Sequence, residues 1–119
     1  MTKQEMFDRA ARQIRKQKGP SIKGGRCLYR GPNGAKCAAG VLISNKHYTP
    51  ELEDKTADDP AVSQALRASG IRNTQISFVA ELQEAHDEPG YLEYLPEWAE
   101  RMRGVASKYR LSAKALGAL

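Results

Sequence analysis

With 119 residues, 40% of them hydrophobic and 28% charged, the chain has the composition of an ordinary soluble globular protein and enough length for one core, so a single domain over 1–119 is expected. Its longest apolar-or-glycine run, Cys37 to Ile43, falls far short of the roughly 20 residues a membrane span needs, and Met1-Thr2-Lys3-Gln4 leads into no apolar secretory segment. The expected setting is the cytoplasm, with no membrane partner and both cysteines reduced. The net charge of +5 is uneven: residues 1–40 hold ten Lys or Arg against two acids, whereas 41–119 hold nine against twelve.

The first helix is expected to begin at Thr2, because Thr2-Lys3-Gln4-Glu5 is a capping-box pattern. Met6, Phe7, Ala10, Ala11 and Ile14 share one side at helical spacing, and Arg9, Arg12 and Lys16 lie opposite, with Arg15 nearby. Gly19-Pro20 stops the helix, and 17–25 reads as a basic loop without Walker-type spacing. Gly31-Pro32-Asn33-Gly34 marks a tight reversal between Cys27–Arg30 and Ala35–Cys37, which predicts a β-hairpin near residues 27–37. Ala38 to Ile43 follows as a short buried segment whose length and Gly40 leave strand and helix both open.

Thr49 to Asp54 is an acidic turn. Asp59-Pro60 opens a second helix with Val62 and Leu66 inward and Gly70 as its stop. Asn73 or Thr74 caps a third helix through about Asp87, its inner face carrying Ile76, Val79 and Leu82, with Phe78 and Ala85 at the edge. At about 100° per residue, His86 falls on that inner face. Pro96 starts a fourth helix with the stripe Trp98, Met102, Val105, Ala106 and Tyr109, and a short tail helix follows Ser112. The expected fold is therefore α+β: a mainly helical domain of about four helices with one β-hairpin.

The pattern R-C-x-Y-R-G-P-x-G-x-K-C-A-x-G-x-L-I beginning at Arg26, the later Leu82-Gln83-Glu84-Ala85-His86-Asp87, and a C-terminal W-x-x-x-M-x-x-V-A helix resemble a family of small uncharacterised proteins encoded by bacteriophages and prophages. The similarity spans nearly the whole chain, least between Thr56 and Asn73. Where that family carries Pro-Asp after Leu-Ile, this chain has Ser44-Asn45. The resemblance implies a phage setting, and with it a counter-defence purpose, but no reaction.

Four constellations compete for function. Cys27, Cys37, His47 and His86 form a chemically sound S/N set for zinc but lack the close cysteine pairing of zinc folds. Cys37 beside Lys36 suits a nucleophile with His86 as base, but Asp87 follows His86 directly, which places it poorly as an orienter. A hydrogen bond from His86 to a hairpin carbonyl is the expected structural role. Leu66 to Ser77 resembles a helix-turn-helix with Asn73, Thr74, Gln75 and Ser77 as base readers, yet its second helix runs into Glu81, Glu84 and Asp87. The fourth is a basic surface of Arg9, Arg12, Lys16, Arg26 and Arg30 with Tyr29 as stacking ring, widened by Lys18, Lys23 and Lys36. It requires no special coordination geometry, and it is the preferred reading: a non-enzymatic binder of a host protein or of an anionic ligand, nucleotide or nucleic acid, with no cofactor. The alternatives are a thiol- or zinc-dependent enzyme using Cys37 and His86, and a DNA-binding regulator.

Overall fold

Thr2 opens the chain's first helix with both halves of the capping box. Its hydroxyl accepts from the Glu5 amide at 3.1 Å, and its own amide donates to the Glu5 carboxylate at 3.0 Å. The computed structural model, which describes residues 1–90 and 92–119, runs this helix, α1, over Lys3–Gln17. Met6, Phe7, Ala10, Ala11 and Ile14 are fully buried along its inner side. Lys18 closes it in the left-handed region, donating back to the Ile14 carbonyl.

The paired strands lie earlier than the turn signal at Gly31 implied. β1 (Ile22–Lys23) and β2 (Arg26–Cys27) form the antiparallel ladder, joined by Gly24 and Gly25 at φ 60° and 76°. Two successive positive φ values are what a two-residue hairpin turn demands, and glycine adopts them without strain. The Gly31–Gly34 reversal keeps a single bridge, Arg30 to Lys36. Its ladder stops there because the strand amides that would extend it are taken elsewhere. The amides of Tyr29 and Arg30 donate instead to the two Glu53 carboxylate oxygens, at 2.9 and 3.2 Å.

The segment left open between strand and helix folds as a short helix, α2 (Ala38–Leu42), with Cys37 as its cap. The Cys37 Sγ accepts from the Gly40 amide at 3.3 Å, and the free Ala39 amide donates to the Gln83 side chain at 2.9 Å. α2 lies directly on the backbone of Tyr29: a Cβ at Gly40 would sit 2.1 Å from the Tyr29 carbonyl oxygen.

α3 (Pro60–Ala68) begins at Asp59, which accepts from the Ala61 amide, and ends at Gly70, past which the Ile71 amide returns to the Leu66 carbonyl. α4 (Ile76–Asp87) is entered through a 3-10 turn over Asn73–Gln75. It buries Phe78 as deeply as Val79 and Leu82, with the ring edge-on to Tyr109 at 4.9 Å. α5 (Tyr94–Tyr109) starts two residues before Pro96, which is tolerated because amides of a helix's first turn have no partner to lose. Trp98, Ala99, Met102 and Ala106 complete one contiguous core with α1, α2 and α4. Beyond Ser112 the chain makes only a 3-10 turn, Lys114–Leu116, held on α1 by the Gln4 side chain, which both donates to and accepts from Ser112. The fold is thus α+β, with four longer helices, one short helix and one hairpin. No helix among the described residues is long and apolar enough to cross a membrane.

Gly40→Ala should destabilise the protein by about 3 kcal/mol, since the new methyl group has rigid backbone in its way. Gly104→Ala, on α5 with open space around it, should stabilise by about 0.5 kcal/mol. Urea midpoints for the two variants check this; equal midpoints would remove the claim that α2 rests on the Tyr29 backbone.

Candidate functional site

The structure divides the predicted basic residues into free and committed groups. Arg9, Arg12 and Lys16 are exposed in one stripe on the outer side of α1. Arg26 is turned away into an ion pair with Asp54, and its Nε donates to Asp54 Oδ1 at 3.0 Å. Tyr29 is buried, its hydroxyl donating to the Lys55 carbonyl, so it offers no exposed face for stacking. Neither residue joins the basic surface, because each anchors the 53–55 segment instead.

Arg30 does face the patch. Its guanidinium lies 4.8 Å from the Tyr48 ring centroid and donates at 2.5 Å to both Asn45 Oδ1 and the Ile43 carbonyl. Both acceptors are neutral, and Nε is buried without a partner. Lys36 is half-buried, its backbone clamped by the Gln17 carboxamide, whose Nε2 reaches the Lys36 carbonyl and whose Oε1 takes the Lys36 amide. Burial holds the Lys36 ammonium below the usual lysine range, and the charges of Arg30 and Lys16 add to that effect. The charges of Arg30 and Lys16 thus both reach the Lys36 ammonium. Arg9, Arg12, Lys16, Arg30 and Lys36 form no ion pair with a carboxylate among the described residues.

A second arrangement gathers the groups expected to carry chemistry. His86 is fully buried on the inner face of α4, and its Nε2 accepts from the Ser21 amide at 3.1 Å. The partner is thus a backbone amide just before β1, not a hairpin carbonyl. Because an amide can only donate, the ring proton belongs on Nδ1, which donates to Asp87 Oδ1 at 2.7 Å. Asp87 is well placed after all: at the last turn of α4 the two adjacent side chains bend together, although their directions on the helix diverge.

Asp87 also accepts from Gln83 at 2.9 Å and faces Cys27. Cys27, His86 and Asp87 are the one group of metal-capable side chains that converges among the described residues, with ligand atoms within 4.8 Å of each other. Cys37 and His47 do not join it. This trio fits a metal poorly. A neutral imidazole that ligates through Nδ1 must carry its proton on Nε2, and that would point it at the Ser21 N–H.

The thiols are equally unsuited to attack. Burial, and then the charge of Asp87, pushes Cys27 up to about 11. Burial pushes Cys37, which is 1% exposed and occupied as a helix cap, up to about 12. Gln75 is buried too, bound to the Met1 carbonyl and the Arg72 amide, and so is withdrawn from any base edge.

A cavity of about 870 Å³ opens beside this trio. Its walls come from β2, the 54–58 segment and the outer side of α4, and carboxylates dominate its rim. The acidic balance of residues 41–119 and the spacing of Glu81, Glu84 and Asp87 held that signal in the sequence. Comparison with known protein families, with curated proteins and with solved structures gives no match.

At pH 8, Cys27 should alkylate with iodoacetamide about a hundredfold more slowly than an unperturbed cysteine, because its thiolate is that much rarer. The rate should climb with pH towards 11, Asp87→Asn should speed it several-fold at pH 8, and Cys37 should react only on unfolding. A Cys27 rate that levels off below pH 9 would contradict this reading.

Proposed function

We propose that the chain is a binding protein whose basic face receives an anionic ligand, a nucleotide or a nucleic-acid strand. The observation that carries this is that Lys36 feels the charges of both Arg30 and Lys16 while none of the three forms an ion pair with a carboxylate among the described residues. Like charges held together cost free energy in the unbound protein, and phosphate oxygens relieve that cost on binding. Arg9 and Arg12 continue the positive track about 10 Å along α1, given a rise of about 1.5 Å per residue. Arg30 supplies a planar guanidinium steadied by the Tyr48 ring. Arg26 and Tyr29 take no part.

Binding rather than catalysis is favoured because neither cysteine is activated and His86 has both ring nitrogens engaged within the core. The resemblance to phage-encoded proteins extends the proposal to an infected bacterium, with the ligand or an acidic host protein as the target of a counter-defence factor.

Fluorescence anisotropy with a labelled single-stranded oligonucleotide should show affinity falling with salt, the log–log slope being about −3.5 for five neutralised phosphates. Replacing Lys16 and Lys36 together by Gln should weaken binding about tenfold and flatten the slope by about 1.4. If the double variant binds as the parent does, the basic face is not the site.

A further inference from the structure

We infer that the cleft on the outer face of α4 receives an extended basic segment of a partner protein, an arginine- or lysine-bearing strand of about six residues. The site is separate from the anion-binding face. Its floor is apolar, from Tyr29, Ala57, Ile76 and Ala80, and its volume of about 870 Å³ is that of a binding pocket rather than a packing flaw.

Its charges do not cancel. Asp54 is paired with Arg26, and Glu81 is taken by Lys108 and the Tyr109 hydroxyl. Asp58 accepts only the Thr56 hydroxyl, Glu84 forms no ion pair, and Asp87 keeps an exposed carboxylate beyond its bonds to His86 and Gln83. Against these three stands the single unpaired cation Lys55. An aliphatic stem lying on the floor and a cationic head at the rim match this lining, which is how lysine and arginine behave at apolar–aqueous borders.

The occupant is a chain segment rather than a small amine because the cleft does not end where it is deepest. A second hollow of about 370 Å³, between α4 and α5, shares Glu81, Glu84 and Lys108 with the first and adds Glu88 on α4, with Arg101 facing it from α5. The acidic path therefore follows α4 for much of its twelve residues. That is about 18 Å, the span of five or six extended residues. Exposed Ser77, Glu84, Asp87 and Glu88 recur along this path at helical spacing, and no other element covers them.

The test is anisotropy of a fluorescein-labelled hexapeptide alternating arginine and alanine. Glu84→Gln changes an exposed side chain that supports no contact, so it should keep the fold, confirmed by circular dichroism, and weaken binding at least tenfold. Ala80→Trp, which plugs the floor, should do the same. The Lys16→Gln/Lys36→Gln protein should bind the peptide unchanged, which separates this site from the basic face. Unaltered affinity in folded Glu84→Gln protein would overturn the inference. So would displacement of the peptide by an equal concentration of spermidine, which would make the site one for a free polyamine. Dimerisation of the unliganded protein that Glu84→Gln abolishes would also overturn it, because the occupant would then be a second copy.

Discussion

A fold with only a two-residue ladder must still find partners for the backbone of a long irregular stretch, and here side chains supply them. Residues 17–58 cross the molecule with one short helix, and an amide buried there without an acceptor costs about 1–3 kcal/mol. Gln17 takes both backbone groups of Lys36, Gln83 takes the Ala39 amide, Glu53 takes the amides of Tyr29 and Arg30, and His86 takes that of Ser21. Each of these four side chains stands in for a missing strand. The packing of α2 between α1 and α4 follows from where they hold the chain.

The same requirement decides which polar residues are left for other work. Glu53 and His86 look like candidates for chemistry until their atoms are counted; both carboxylate oxygens of Glu53 and both ring nitrogens of His86 are engaged within the molecule. Arg26 and Tyr29 secure the 53–55 segment that carries Glu53. Arg9, Arg12 and Lys16 on the outer side of α1 form no ion pair and remain exposed, together with Lys36 and a guanidinium at Arg30 that meets only neutral acceptors.

The helices were legible in the sequence because local signals specify them. The Thr2 capping box, the Asp59-Pro60 start and the Trp98–Met102–Ala106 stripe each act within a turn or two. The hairpin's position was less legible: Gly31-Pro32-Asn33-Gly34 announces a turn more loudly than Gly24-Gly25, but a turn makes no ladder when its flanking amides go to Glu53, 23 residues away. Similarly, the helical directions of His86 and Asp87 argue against their contact, and only the Ser21 amide, 65 residues from His86, fixes the proton on the nitrogen that faces Asp87. The positive face was half legible. Clustering along α1 is local information, whereas the loss of Arg26 and Tyr29 to the 53–55 segment is not.

Lys36 and Cys37 join the two charged regions of the molecule. Cys37 has extended dihedrals, φ −77° and ψ 175°, and successive side chains on extended backbone point to opposite sides. Lys36 accordingly faces Lys16 and Arg30, while Cys37 turns to the floor of the acidic cleft. Gln17 fixes the backbone of the first, and the Gly40 amide fixes the sulfur of the second. Neither region can shift this dipeptide without breaking a clamp, so the basic face and the cleft are held in a fixed relation by the start of α2. Two surfaces of opposite sign are thereby built on adjacent residues, one on each side of the chain where α2 begins.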